Sequence, residues 1–326
     1  MGRLKIGVVG LGGIAQKAYL PILTKEDNWH LVGAFSPNQA KAKLVCDSYR
    51  LPLFSSIDAL AAQCDAVFIH SATASHFEVI QRLLQANVHV YVDKPLTEQI
   101  VQSEQLIELA HQQQRTLMVG FNRRFSPFYV ALKQNTQHFS SIRMDKHRIN
   151  SIGPKDMAYT LYDDYLHVVD TVLWLGGFEA VLKSGYIQQT RNGELFYAEH
   201  HLQAGDCWLT TSMHRKAGSQ QEQVTAIAED VLHQITNMNH WRCETASEIR
   251  DKQPGNWDSI LVQRGFDGAV RHFIDSVANQ TQPIISAEQG IIAQRMVESM
   301  LLQLQNKIKW RALKAGVLFA MFNKVG

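Results

Sequence analysis

The chain lacks most of the features that settle a protein's class at a glance. Its four cysteines, Cys46, Cys64, Cys207 and Cys243, are scattered with no C-x-x-C pair. A disulfide framework or a zinc site is therefore not expected, and a reducing compartment is the simpler reading. Charge of one sign is missing too: 32 Lys plus Arg face 30 Asp plus Glu, a net charge of +2. A phosphate-binding surface shows as a basic surplus, so nucleic acid is not an expected partner. No apolar run approaches the roughly 20 residues of a membrane span. No signal-like segment precedes the first apolar run, and a cytoplasmic protein is predicted. Internal repeats and low-complexity stretches are also missing.

A length of 326 residues with 45% hydrophobic and 19% charged residues fits two ordinary globular domains. In the first third, short apolar runs alternate with amphipathic stretches. Strands are predicted at Lys5–Gly10, His30–Ser36, Asp65–Ser71, Val88–Asp93 and Thr116–Phe121, with helical patterns such as 76–84 and 101–113 between them. That alternation indicates a doubly wound parallel sheet, an α/β Rossmann layout. After Phe121 the texture changes. An apolar helix, Tyr162 to Leu175, precedes alternating runs punctuated by Asn192-Gly193, Ala204-Gly205-Asp206, Ala217-Gly218-Ser219 and Asn237-Met238-Asn239. Asn-Gly between β-prone runs is a hairpin signal, because both residues tolerate positive φ. An α+β domain on an open antiparallel sheet is predicted, with further helices at 259–277 and 288–305. The expected division is 1–121, 122–306 and a tail, 307–326, that holds Lys307, Lys309, Arg311, Lys314 and Lys324 without an acid. This tail reads as a final buried element or an appendage rather than an interfacial basic helix.

Gly10-Leu11-Gly12-Gly13-Ile14-Ala15 is a G-x-G-x-x-A directly after a strand and opening a helix. Gly10 permits the tight turn, Gly12 lets the backbone approach a pyrophosphate, and Ala15 lets helix and strand pack closely. The helix N-terminus then favours phosphate. Gly10, Gly12, Gly13, Ile14 and Ala15 are thus expected to hold a dinucleotide. An acid should end the second strand if the ribose hydroxyl of NAD is gripped. Ser36 stands there instead, followed by Pro37-Asn38-Gln39-Ala40-Lys41. Ser36 and Lys41 suit a 2′-phosphate, so NADP(H) is favoured over NAD(H), although Lys41 and Lys43 also fit a solvated helix face.

Lys94 closes the Val88–Asp93 strand, and Pro95 disfavours a helical Lys94. A cation is thereby planted at the carboxyl edge of a parallel sheet, where open α/β sheets bind ligands. Asp163, His167 and Asp170 lie at i, i+4 and i+7 on an otherwise apolar helix and form one polar stripe. An imidazole, with an unperturbed pKa of about 6.5, is suited to accept a hydroxyl proton near neutrality. Asp163 can orient the substrate or stabilise the imidazolium. No clustered third ligand accompanies the His/Asp pair, so no metal is expected.

Together these motifs resemble the Gfo/Idh/MocA oxidoreductase family, in particular its MviM-like branch. The resemblance runs from Gly10 through Asp93-Lys94-Pro95 and Val119-Gly120-Phe121-Asn122-Arg123-Arg124-Phe125 to Trp174-Leu175-Gly176. It implies hydride transfer between a nicotinamide and a sugar or polyol hydroxyl. Lys94, preceded by Asp93 where the family has Glu, falls on the catalytic lysine. Asp163 and His167 fall on the substrate-contacting and proton-transfer positions of D-x-G-x-H-x-x-D. The chain departs from the family at Tyr165, which replaces the motif glycine, and at Asp164, which replaces an apolar residue. Tyr165 is accordingly expected to narrow the sugar pocket or to alter the backbone there. Where the family has Ala-Thr-Pro the chain has His70-Ser71-Ala72; Ser71 keeps a hydroxyl, His76 holds the family's helix histidine, and His70 either lines the nicotinamide site or is structural. Ser71, His76 and Asp93 join the cofactor set. Asn122, Arg123 and Arg124 fall at the domain junction: Asn122 and Arg123 are expected to contact the substrate, and an arginine there can grip substrate oxygens or a cofactor phosphate, or else lock the domains together. Two functions remain open: a dehydrogenase or reductase acting on CH–OH groups, and a non-catalytic nucleotide sensor on the same scaffold. The open sheet face, which the family uses for association, predicts a homodimer.

Overall fold

The computed structural model describes residues 2–322, with side chains through Asn306. By residue contacts the chain divides into two units. One comprises Met1–Asn135, Met238–His240 and Lys252–Ile292; the other holds Thr136–Asn237, Trp241–Asp251 and the chain from Ala293 onward.

In the first unit, short runs of Val, Ile and Ala form strands buried on both faces. These are β1 (Leu4–Val9), β2 (Trp29–Phe35), β3 (Ala66–Ile69), β4 (His89–Val92) and β5 (Leu117–Val119). They pair in parallel in the order β2-β1-β3-β4-β5. A single parallel bridge, Ala34 to Leu53, adds the stub of a further strand outside β2, which completes the order of a dinucleotide-binding sheet. Ile6, Val8, Phe68, Ile69, Val90 and Val92 are fully buried, as a sheet covered on both faces requires. The strand order reverses between β1 and β3, so a crevice opens beyond their carboxyl ends. The helix His76–Gln85 buries Val79, Ile80, Leu83 and Leu84, spaced as one apolar face.

The first unit extends beyond the expected boundary at 121. Asn122 donates its side-chain amide to the carbonyl of Arg264 (2.7 Å), and Ser126 donates to that of Gln263 (2.8 Å). Distant segments thus return to the carboxyl end of β5. The expected helix over 259–277 is broken in two, Ile260–Gln263 and Phe266–Ala278. Gly265 breaks it at φ +77°, where a Cβ would lie 2.6 Å from the backbone of Phe125 and of Ser126.

The second unit is built on an eight-stranded sheet, ordered β13-β12-β11-β10-β6-β9-β8-β7. Its strands are β6 (Ser141–His147), β7 (Val181–Gln189), β8 (Leu195–Ala204), β9 (Cys207–His214), β10 (Gln221–Ala228), β11 (Val231–Thr236), β12 (His240–Thr245) and β13 (Ile249–Lys252). The four predicted turns fall between the expected strands, and Gly193, Gly205, Asn237 and Met238 have positive φ. The meander is not continuous, however. β6 inserts between β10 and β9, antiparallel to the first and parallel to the second. One sheet face buries Ile142, Met144, Ala198, Leu202, Leu209, Met213, Val224 and Ala226. The helix Leu166–Gly176 packs on that face. The opposite face is polar and aromatic: Arg143 reaches Glu199 (2.9 Å), Tyr197 donates to Glu199 (2.9 Å), and Tyr186 and Trp208 are exposed. A helix from Ala287 to Phe322 ends the described chain. The expected basic tail lies, in its side chains, outside the described residues.

Candidate active site

At the carboxyl edge of the parallel sheet, Gly10 has φ +91°, and a Cβ there would lie 2.5 Å from the Ser71 amide nitrogen. Only glycine lets the first loop press so closely on the loop after β3. Gly12 and Gly13 are the opposite case. A Cβ on either would meet nothing within 4 Å, so the backbone there is bare and open to an approaching ligand. These glycines face free space at the start of a helical segment, the geometry a pyrophosphate uses. Ile14 is exposed beside them, and Ala15 is buried against the sheet. At the end of β2, Ser36 and the exposed Lys41 bring no acid, and Lys41 donates its backbone N–H to the Asn38 cap (3.1 Å).

His76 is buried and braces the two neighbouring loops. Its Nε2 lies 3.1 Å from the carbonyl of Ser71 and its Nδ1 lies 3.0 Å from that of Pro95. Burial pushes its pKa down, against the raising effect of both carbonyls. His76 thus lies between the loop after β3 and the loop after β4, and its neutral ring donates to one of the two carbonyls. The Ser71 hydroxyl pairs with that of Ser75 (2.7 Å).

Asp93 ends β4 in a buried aromatic setting that the sequence reading missed. The Tyr19 hydroxyl lies 3.4 Å from its carboxylate and 3.1 Å from the Tyr91 hydroxyl. His70 stacks on Tyr19 with centroids 3.7 Å apart, its Nδ1 3.6 Å from Asp93. Burial, then the Asp93 charge, pushes the Tyr19 and Tyr91 hydroxyls well up, so both are neutral donors. The His70 side chain is fully buried. Tyr19 carried a usable signal, since it follows the glycine motif by four residues on the inward face of its helix. Lys94 follows, half-buried. Asn122 and Arg123 are buried. The Asn122 side chain ties the loop after β5 to the Arg264 carbonyl.

In the second unit, Asp163 and His167 lie on consecutive helical segments, Leu161–Tyr165 and Leu166–Gly176, the first of them π-helical. Asp163 is exposed and His167 half-buried. The Asp163 charge raises the pKa of Tyr159, which places its carboxylate beside that phenol. Tyr165 turns the other way. It is fully buried, and its hydroxyl meets the Thr211 hydroxyl (2.7 Å), the Thr211 carbonyl (3.0 Å) and His200 Nδ1 (3.0 Å). The expectation that Tyr165 narrows a substrate pocket is therefore corrected: its ring fills the unit's own core. Asp164 also points away from Asp163. Lys146 Nζ lies 2.6 Å from its carboxylate, Arg148 forms two bonds at 2.8 and 3.1 Å, and Arg215 adds a third cation. Burial alone would raise the Asp164 pKa. The Lys146 charge, then Arg148, outweighs it and holds the carboxyl far below its ordinary range.

The comparisons agree with this architecture. Residues 4–121 match a family described as "Oxidoreductase family, NAD-binding Rossmann fold", and residues 127–246 match "YceM-like, C-terminal domain". The chain is 54% identical over 300 residues, 92% of its own length and 98% of the relative's, to YceM of Salmonella typhimurium, named as an oxidoreductase. It belongs to the Gfo/Idh/MocA oxidoreductase family. A dehydrogenase (MviM) from Clostridium difficile superposes with a TM-score of 0.90 at 43% identity, over 92% of this chain and 99% of that one. The UDP-N-acetylglucosamine 3-dehydrogenase of Acidithiobacillus ferrooxidans is 32% identical over 187 residues, 56% of this chain and 57% of that protein. Among the described residues no group of His, Cys, Asp or Glu could hold a metal, and no helix is long and apolar enough to cross a membrane.

The two departures from the family's motif, Asp164 and Tyr165, thus both pack inside the second unit. Asp164→Asn removes the negative partner of three clustered cations and should destabilise the protein by about 3 kcal/mol or more, read by urea unfolding. The sign with pH follows from a depressed carboxyl. The unfolded state protonates first, near the ordinary value of 3.8, so wild-type stability should fall as pH drops below about 4 while the variant shows a shallower loss.

Proposed function

We propose that this oxidoreductase transfers hydride between NADP(H) and a hydroxyl or ketone of a sugar, polyol or sugar derivative. The observation that carries this reading is the half-buried Lys94, two residues beyond β4. It shares the sheet edge with two glycines whose faces are bare. Gly12 and Gly13 would take the pyrophosphate, and Ser36 with Lys41 the 2′-phosphate. A bound nicotinamide supplies the carbon that accepts or gives hydride. Lys94 donates hydrogen bonds to the substrate oxygen and stabilises negative charge as it builds there. His167 takes the hydroxyl proton during oxidation and returns it during reduction, while Asp163 orients the substrate or the imidazole. Asp93, held by Tyr19, keeps the backbone before Lys94 in position.

The family relatives named for sugar and inositol dehydrogenation support the substrate class. Loss of the motif pattern at Tyr165 and Asp164 would favour a sensor without chemistry, but both side chains are engaged in the core of the second unit. The polar and aromatic open face of the second sheet suits association, and the chain is proposed to be a homodimer. Light scattering at micromolar concentration checks this, and a monomer mass rejects it.

Titration calorimetry should give tighter binding of NADPH than NADH, because no acid meets the 2′-phosphate; the reverse order rejects the assignment of Ser36 and Lys41. With a sugar substrate in hand, Lys94→Ala or His167→Ala should lower turnover by about 10²- to 10⁴-fold. NADP(H) affinity should stay near wild type. Wild-type turnover in both variants would reject the site while leaving the fold and cofactor untouched.

A further inference from the structure

The first unit holds a cavity of about 690 Å³ at the amino edge of its parallel sheet, within the size range of small-molecule sites. His89 opens β4 and Leu117 opens β5, and both line it. Along β4, at about 3.3 Å per residue, His89 stands roughly 13 Å from Asp93. The cavity is therefore separate from the edge that carries Gly12 and Lys94. Its other walls are the end of the helix Ile100–Gln112 with the turn after it, the loop 280–283, and the start of the helix that begins at Ala287. All of them belong to the first unit. Backbone bonds fix these walls: Arg115 donates to the Ala110 carbonyl (2.9 Å), Thr281 donates to that of Ser276 (2.9 Å), and Met118 bridges to Ser286.

The polar groups on the walls are unevenly matched. The carboxylate among them is already held, because Glu288 pairs with His111 and accepts from the Ser286 hydroxyl. Burial alone would raise the Glu288 pKa, and Ser286, its own N–H and His111 outweigh burial. The donors are left over. Arg115 spends Nη1 on the Gln114 carbonyl (3.1 Å), while its buried Nε meets no acceptor. Among the described residues no carboxylate pairs with this guanidinium, so the Nε–Nη2 edge, which meets an oxyanion with two parallel bonds, is uncommitted. His89 adds a third donor. Its Nδ1 accepts the Thr116 N–H (2.9 Å), which puts the ring proton on Nε2. Burial, then the Arg115 charge, pushes its pKa down to about 4, so the ring is neutral near neutrality and still offers one N–H. The same item of charge shows that guanidinium and imidazole are neighbours. Donors without acceptors call for a ligand that brings negative oxygens. A carboxylate has two oxygens for these three donors, whereas a phosphate monoester has three. At the rim, the exposed Gln280, Thr281 and Gln282 suit hydroxyl groups, and the buried Leu117, Val277 and Pro283 back them.

We propose that this cavity is a second ligand site, for a phosphorylated sugar, with the phosphate on Arg115 and His89 and the sugar hydroxyls on the rim. It is independent of the hydride-transfer reading. The probes are glucose 6-phosphate, glucose, gluconate and inorganic phosphate, each titrated by calorimetry with the cofactor site filled by NADPH. Wild type should bind glucose 6-phosphate most tightly of the four. Arg115→Gln should weaken that binding by about ten- to hundredfold, the worth of hydrogen bonds to a charged group. Thr281→Glu should weaken it too, since the new carboxylate on the exposed rim repels phosphate without touching a buried contact; this variant decides the matter if Arg115→Gln fails to fold. Lys94→Ala should leave it unchanged, and NADPH affinity should be the same in wild type, Arg115→Gln and Thr281→Glu. No binding of glucose 6-phosphate by wild type, or equal affinity in wild type and both cavity variants, overturns the proposal and leaves the dehydrogenase reading standing. A loss in Lys94→Ala overturns it as well, because the phosphate then sits at the catalytic edge. Gluconate, glucose or inorganic phosphate binding as tightly as glucose 6-phosphate overturns the assignment of a phosphorylated sugar.

Discussion

The approach of Gly10 to Ser71 is the constraint on which the catalytic edge depends. A methyl group on Gly10 would sit 2.5 Å from the Ser71 nitrogen, so the two loops at the reversal of strand order meet only because that carbon is missing. From this contact a line of short bonds continues sideways. The Ser71 carbonyl faces His76, and the other nitrogen of His76 faces the Pro95 carbonyl. The backbone on either side of Lys94 is therefore held by Pro95 on one flank and by the Tyr19–Asp93 contact on the other. In the proposed reaction Lys94 would benefit from such support, because preorganised donors need no rearrangement during reaction.

The second unit holds its polar helix by a different device. A helix carrying the exposed Asp163 and the half-buried His167 needs purchase on the sheet below it. Tyr165 and Asp164 provide that purchase: one is a buried phenol bonded to Thr211, the other a carboxylate gripped by three cations. A buried acid is costly alone and strongly held when paired. That balance ties β6, β9 and the segments beyond them to one side chain. Residues that look like defects in a catalytic motif therefore serve the scaffold, and the π-helical turn at Leu161–Tyr165 is where the chain lets adjacent residues serve opposite faces.

Much of this was legible in one dimension. The period of the apolar runs determined the parallel sheet, and the glycine spacing marked the loop at its edge. Turn residues divided the later strands. Burial on both faces leaves no room for polar alternation, and positive φ leaves few choices but Gly or Asn, so both constraints write themselves directly into residue order. Lys94, Asp163 and His167 stood out because charge is rare beside such apolar runs.

What the sequence could not determine is where each side chain turns and what distant segment it meets. Nothing local said that Tyr165 faces inward, that β6 lies between β10 and β9, or that Asn122 holds a carbonyl 142 residues away. Tyr19, His70 and Asp93 come from three elements and touch only after those elements have docked. Local conformation depends on neighbours along the chain, and periodicity records it. The partners of a buried polar group are chosen by packing, which joins residues without regard to their separation, so only the tertiary structure could decide them.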